Sequence, residues 1–459
     1  MHRNILSDED KEFYKKFVRL AIPIIGLQVL STSVNLISSL MIGQLGEQSI
    51  VAVGFCNQFF QMFNLLMIGL VNGTAIFTAQ YWGKKDYKGM RQMFLVSLIL
   101  TEIVATGFFV ICQSNPQMVL RLFTDDENIV LLGAGYLKIV SFNYLLTTAI
   151  NTCNIMLQCT ENARFALISS VTSIVVDVTV SYSLIFGKWS SDPMGIYGAA
   201  YGICIAKSIE LILIIAVIIW RIPFMRKGLT DIFKLKRDFW PVYVKTVSPV
   251  VGNMLLYGVG TMLYSAIYGR TKDTDMVAAI NIMTTIGSVA KIFMTGAAVA
   301  AGVVVGREIG AGNKEHAYIC GKRLNKLSPL IGIICSLMFG MLTPFIVKLY
   351  NITDEVRIVT LHLMIMLMIS VIFETVNHVG LVGILKSGGD SVFNFAVDTI
   401  GVWFISLPLL YISGIMLKLK IEYVYAASLV EIVIKAFVVT QRIRQCHWAR
   451  NLVGTDKSI

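Results

Sequence analysis

Long apolar runs recur along the whole chain, separated by short polar connections. Most runs hold about 20 residues or more, the length that an α-helix needs to cross the hydrocarbon core of a bilayer. A helix hydrogen-bonds its own backbone, so each run predicts one membrane-spanning helix. The twelve predicted spans are 17–43, 51–79, 92–112, 130–157, 165–187, 196–220, 244–268, 277–305, 327–347, 358–385, 392–416 and 423–441.

The composition agrees with this pattern. The chain has 459 residues, of which 56% are hydrophobic and 15% charged, and its mean hydropathy is +0.71. A soluble core cannot hide that much apolar surface from water, so the bilayer is the expected solvent. The sequence therefore predicts an all-α membrane protein with twelve transmembrane helices.

The positive charges predict the orientation. A net charge of +11 suggests nucleic-acid binding only if the cations form a patch on a soluble domain, and here they fall between the apolar runs. With the N-terminus inside, 27 of the 39 Lys and Arg lie in cytoplasmic segments, counting Arg19 and Lys245 at the cytoplasmic ends of their helices. Since cytoplasmic loops are rich in Lys and Arg, we expect both termini in the cytoplasm and the chain in the cytoplasmic (inner) membrane.

The two halves of the chain resemble each other. Shifting the first half by 226 to 228 positions superposes similar residues, which predicts two pseudo-symmetric six-helix lobes. We expect an N-lobe at 1–220, a cytoplasmic linker at 221–243 and a C-lobe with a cytoplasmic tail at 244–459. The matched pairs include Pro23 with Pro249, Gly26 with Gly252, Gly43 with Gly269, and Gly83 with Gly310.

Five segments of the chain resemble the multidrug and toxic compound extrusion (MATE) family. They are PIIGLQVLSTSVNLISSLMIGQLGEQSIVAVG, PVVGNMLLYGVGTMLYSAIYGR, QYWGKKD, VGREIGAGN and GILKSGGD, in the family's order. The resemblance spans essentially the whole chain. It implies two six-helix lobes, alternating access, and export of organic cations or drugs driven by entering H⁺ or Na⁺.

Residues in three helices depart from the family pattern. Ser38 stands where the first helix of the family often has an acid, and Met254 follows Asn253 where a Glu is common. In the fifth helix, Asp177 and Ser181 replace the usual pair of Asn, or Asn and Asp. The acidic coupling set that the family implies is therefore altered.

Two carboxylates within apolar runs are the leading candidates for ion coupling or substrate binding. An ionisable group at membrane depth costs at least about 2.5 kcal/mol on insertion scales, so it needs a partner or a task. Asp177 shares one helical face with Ser173 and Ser181, so a polar stripe can meet a central cavity. Asp177 either takes up a proton or ligates Na⁺ there, or it is a structural carboxylate held by Ser and Asn side chains within the lobe. Glu374 lies near Asn377, and either couples transport or forms an internal ion pair with Lys291.

Weaker candidates come from polar stripes on other helices. Such stripes do not face lipid, so they either join helices within a lobe or line a cavity. Asp398 is expected to act as a gate or cap, whereas the spacings of Lys207 to Glu210 and Glu431 to Lys435 predict same-helix ion pairs. The further candidates for coupling or substrate contact are Gln28, Asn35, Ser38, Asn57, Asn154, Asn253, Met254 and Tyr257.

The absence of common nucleotide-binding and metalloprotease motifs narrows the range of possible functions. The sequence has no GxxxxGK[ST] phosphate loop, no GxGxxG and no HExxH, so we expect no enzyme and no cofactor. The leading hypothesis is a monomeric secondary antiporter that exports amphipathic, cationic small molecules in exchange for H⁺ or Na⁺. The alternatives are a flippase for lipids or lipid-linked precursors, and a non-transporting membrane scaffold or receptor.

Overall fold

The computed structural model describes residues 8–188, 192–227, 239–269, 274–348 and 353–453. Helices form every regular element of this part of the chain. Their bounds are α1 Asp8–Gly43, α2 Glu47–Gly83, α3 Tyr87–Ser114, α4 Pro116–Arg121, α5 Glu127–Val140, α6 Phe142–Cys159, α7 Ala163–Phe186, α8 Ile196–Arg221, α9 Phe239–Gly269, α10 Thr274–Gly310, α11 Lys314–Lys348, α12 Asp354–Asn377, α13 Ser391–Thr399, α14 Leu407–Tyr411 and α15 Ile421–Arg444.

Polar residues at the ends of the apolar runs set several of these boundaries. The Asp86 side chain accepts a hydrogen bond from the Gly89 amide and so caps α3, and Asp126 caps α5 in the same way. These side chains satisfy amides that have no partner within the helix. Gly187 ends α7 with a φ of 66°, a left-handed conformation that costs glycine least.

The predicted spans are confirmed as helices. Ten helices in the described segments are long and apolar enough to cross a membrane, and the bent pair α5–α6 makes up to eleven. Several helices run beyond the predicted ends into polar sequence, as α10 does to Gly310 and α11 does from Lys314.

The hydropathy pattern did not predict the interruptions of three spans. α5 and α6 meet at Ser141 with a bend of 40°. π-helical turns follow α12 at His378–Leu385 and flank α14 at Ile400–Ser406 and Ile412–Met416. Such turns are common near functional sites, because the wider turn redirects the side chains that follow.

The chain forms two compact units. The first comprises residues 1–25, 79–85 and 241–459, and the second comprises 26–78 and 86–240. The core of the second unit includes Phe63 and Tyr144, whose rings stack with centroids 4.9 Å apart. The core of the first unit gathers apolar residues from α10, α11, α12 and α15. Each unit therefore has a hydrophobic core of its own.

Repeat-related glycines meet within the first unit, where the end of α2 crosses the end of α10. A Cβ added at Gly83 would lie 1.8 Å from the Arg307 carbonyl oxygen. A Cβ at Gly310 would lie 1.8 Å from the Gln80 carbonyl oxygen. Only the absence of both side chains allows the two backbones to approach this closely.

The C-terminal segment after α15 packs onto the same region of the first unit. Trp448 is fully buried, and its indole N–H donates to the Ile443 carbonyl at 3.0 Å. The Gln80 amide donates to the Ser387 carbonyl at 3.0 Å and accepts from the Leu452 amide at 2.8 Å. The end of α2 and the loop after the His378–Leu385 turn are therefore tied to this segment.

Candidate functional site

Asp177 lies on the side of α7 that packs against α8. Its side chain is 4% exposed, and Ser181 Oγ donates to its Oδ1 at 2.9 Å. Ser173 on the same face donates to the Ala206 carbonyl of α8 at 3.1 Å. Gly202 permits this close packing, because a Cβ there would meet Ser181 Oγ at 2.0 Å. The predicted polar face is thus present, and it is closed by α8 in this structure.

A second buried carboxylate near Asp177 is already neutralised. Glu210 on α8 receives the Lys207 ammonium at 2.7 Å and the Ser170 hydroxyl at 2.6 Å. The predicted ion pair between Lys207 and Glu210 is therefore confirmed. Lys207 also lies within electrostatic range of Asp177, but Ser181 is the one described residue that donates a hydrogen bond to Asp177.

A third acid of this unit has a hydroxyl partner. Glu102 of α3 accepts a hydrogen bond of 2.5 Å from Thr148 of α6 and is half-buried. This contact joins two helices of the second unit. In the sequence, Glu102 is marked only by its position within an apolar run.

The polar stripes of the second unit differ in exposure. Asn57 is exposed, whereas Gln28 and Ser38 are half-buried. Asn154 is also half-buried, and its side-chain oxygen is buried with no hydrogen-bond partner among the described residues. The side chain of Asn35 lies outside the described residues.

A charge cluster joins α13 to α15 in the first unit. Lys435 contacts Asp398 at 3.0 Å and makes a still shorter contact with Glu431. Asn253 of α9 donates to the other Asp398 oxygen at 2.7 Å. The same-helix pair of Glu431 and Lys435 is confirmed, but its spacing did not predict that Asp398 shares the lysine. One lysine therefore stands between two carboxylates.

The side chain of Lys291 on α10 forms a hydrogen bond with a tyrosine hydroxyl. Its ammonium donates to Tyr257 of α9 at 3.3 Å, and both side chains are exposed. Glu374 on α12 lies within electrostatic range of Lys291, but the two form no ion pair within 4 Å. The ion pair that we considered as an alternative for Glu374 is thus not a direct contact here.

The remaining predicted residues of the first unit have mixed surroundings. Asn377 is 7% exposed and donates to the Ile432 carbonyl at 2.9 Å, which joins α12 to α15. Met254 is half-buried beside Asn253 on α9. The first unit therefore brings Asp398 and Asn253 into contact, and Lys291 and Tyr257 into another contact.

The fully buried carboxylates among the described residues differ in whether a Lys or Arg contacts them. Glu210, Glu431 and Asp390 each contact at least one Lys or Arg, the last through Arg442 at 2.8 Å. Asp177 has a hydroxyl partner instead. Burying a charged carboxylate costs free energy when no cation contacts it. A bound proton or cation lowers that cost.

The long apolar helices define the class of this chain as a multi-pass membrane protein. The MatE family profile matches residues 23–183 and 249–412, so the chain belongs to the MatE family. The uncharacterized transporter YisQ of Bacillus subtilis is 21% identical over 89% of this chain and 90% of its own length. The probable multidrug resistance protein NorM of Thermotoga maritima is 20% identical, covering 100% of this chain and 98% of its own.

A solved structure shares the whole fold. The MATE transporter VcmN of Vibrio cholerae superposes with a TM-score of 0.86 at 16% identity, covering 97% of this chain and 99% of its own. The predicted twelve-helix, two-lobe MATE fold is therefore confirmed, and the chain is a transporter by family.

Proposed function

We propose that this chain is a secondary antiporter that exports amphipathic organic cations in exchange for H⁺ or Na⁺. It works by alternating access as a monomer in the cytoplasmic membrane, with both termini in the cytoplasm. Its lobes are 1–220 and 244–459, joined by the linker 221–243. The names of relatives such as NorM support drug efflux.

The observation that carries this proposal is the burial of Asp177 without a contacting Lys or Arg. The other fully buried carboxylates of the described chain contact a Lys or Arg, whereas Asp177 contacts the Ser181 hydroxyl. A bound proton or Na⁺ would stabilise the buried Asp177 carboxylate. The fraction of Asp177 side chains that carry the ion would therefore respond to an ion gradient. Movement of α7 against α8 would then expose the group and release the ion.

Transport in proteoliposomes tests the proposal. Wild-type protein should expel a fluorescent organic cation when an H⁺ or Na⁺ gradient is imposed, and Asp177→Asn should remove the gradient dependence. Asp192→Asn is the matched control, because Asp192 is exposed and the substitution makes the same chemical change. We expect the control to transport like the wild type.

The other outcomes distinguish the alternatives. Gradient-driven export that survives Asp177→Asn and disappears in Glu374→Gln would move the coupling role to Glu374. An absence of export under either gradient would contradict antiport and favour a flippase or a scaffold.

A further inference from the structure

Two arginines meet an aromatic pair where α7 begins and α8 ends. The guanidinium carbons of Arg164 and Arg221 lie 4.8 and 4.7 Å from the centroid of the Phe165 ring. Arg221 also lies 4.2 Å from the Trp220 ring, which meets Phe165 edge to face. These four residues and Arg226 form what we call the arginine–aromatic cluster. Cation–π contacts with these rings restrain both guanidinium groups.

Arg226 adds a third cation to this cluster. Its Nε donates to the Ile219 carbonyl at 2.6 Å, and a terminal nitrogen donates to the Trp220 carbonyl at 3.4 Å. These are carbonyls of the last turn of α8, which have no partner within the helix. The contact therefore fixes Arg226 at the negative end of the α8 dipole.

The positive charges of the cluster have no direct counter-charge in the described chain. None of Arg164, Arg221 and Arg226 forms an ion pair within 4 Å, whereas Arg121 and Arg442 pair with Glu127 and Asp390. Since the Arg164 and Arg221 guanidinium carbons both lie within 5 Å of one centroid, they are less than about 10 Å apart, which is about one Debye length. An anion close to both guanidinium groups would relieve this repulsion.

Apolar side chains next to the cluster point away from the protein interior. Trp220 is 62% exposed, Ile219 is 49% exposed and Ile168 is 59% exposed, all on helices apolar enough to span a membrane. On such helices an exposed isoleucine contacts lipid chains, and an exposed Trp marks the headgroup level. The cluster therefore lies where a phospholipid headgroup meets its acyl chains.

We propose that the arginine–aromatic cluster binds the headgroup phosphate of an anionic phospholipid, in the leaflet that the orientation proposed above makes cytoplasmic. The guanidinium groups match the planar, bidentate geometry of phosphate oxygens. Ile168 and Ile219 contact the acyl chain of the same lipid. Because the rings and helix carbonyls already hold the arginines, binding costs little side-chain entropy.

Native mass spectrometry of the purified full-length protein tests this site. The probes are phosphatidylglycerol and phosphatidylcholine, added at matched concentrations in detergent. Wild-type protein should retain phosphatidylglycerol preferentially. The double variant Arg164→Gln/Arg221→Gln should bind it about 25-fold more weakly, because each cation near a lipid surface contributes about fivefold. The Arg164→Lys/Arg221→Lys variant keeps the charges without the planar groups and should bind with intermediate affinity.

Lys88→Gln is the matched control, because Lys88 is an exposed cation at the start of α3. It should leave retention unchanged. Equal phosphatidylglycerol retention by the wild type and the double Gln variant would overturn the proposal. An equal loss in Lys88→Gln would also overturn it, since diffuse surface charge would then explain binding. Displacement of the lipid by inorganic phosphate at the same concentration would reassign the site to a free anion. None of these results depends on whether Asp177 couples transport.

Discussion

We expect any side chain added at Gly83 or Gly310, where α2 crosses α10, to destabilise the protein. In Gly83→Ala, the new methyl group would lie 1.8 Å from a carbonyl oxygen of the neighbouring helix. That contact is far shorter than van der Waals separation, and a backbone atom cannot rotate away as a side chain can. The helices would have to move apart, which would disturb the neighbouring tail contacts of Gln80.

Two opposing terms set the size of the effect. Replacing glycine by alanine within a helix stabilises it by about 1 kcal/mol at most. Overpacking of a tight contact costs about 1–3 kcal/mol, and a backbone collision lies at the upper end of that range. We therefore expect Gly83→Ala to lower the free energy of unfolding by about 1–2 kcal/mol, with a similar loss for Gly310→Ala. The double variant should lose less than the sum, because both methyl groups separate the same pair of helices.

Thermal unfolding in detergent measures the effect, with Gly107→Ala as the control. Gly107 lies within α3, and a Cβ there would meet no heavy atom within 4 Å. The control should therefore raise the unfolding midpoint slightly, through reduced backbone entropy of the unfolded chain. A midpoint for Gly83→Ala at or above that of the wild type would refute the reasoning.

Two further substitutions test contacts of the first unit. Lys435→Met leaves Asp398 and Glu431 without their shared cation and should lower the free energy of unfolding by about 3–5 kcal/mol, whereas Lys435→Arg should retain most of the stability. Thermal unfolding checks this, and a Met variant as stable as the wild type would contradict it. Trp448→Ala removes a fully buried ring and should cost about 3–5 kcal/mol, while Trp448→Phe should cost less. Limited proteolysis should cut the tail faster in the Ala variant, and unchanged cleavage would count against a docked tail.

Local features of the chain determined much of the fold. The length of each apolar run predicted a spanning helix, because a helix in lipid must satisfy its own backbone. Spacings of three and four residues predicted the pairs of Lys207 with Glu210 and of Glu431 with Lys435, because such residues are neighbours on one helical face. The internal repeat also pairs Gly83 with Gly310, and both glycines lie where α2 crosses α10.

Contacts between distant helices were decided by the tertiary structure. Asp398 and Lys435 are far apart in sequence, and nothing local specifies that one lysine contacts two acids or that Asn253 joins them. The bend at Ser141 and the π-helical turns likewise depend on how neighbouring helices pack, since hydropathy records only whether a segment is apolar. Sequence therefore determined which residues are helical and which charges lie at membrane depth. Packing decided which of those charges are neutralised, because that depends on distances of a few ångströms between segments far apart in the chain.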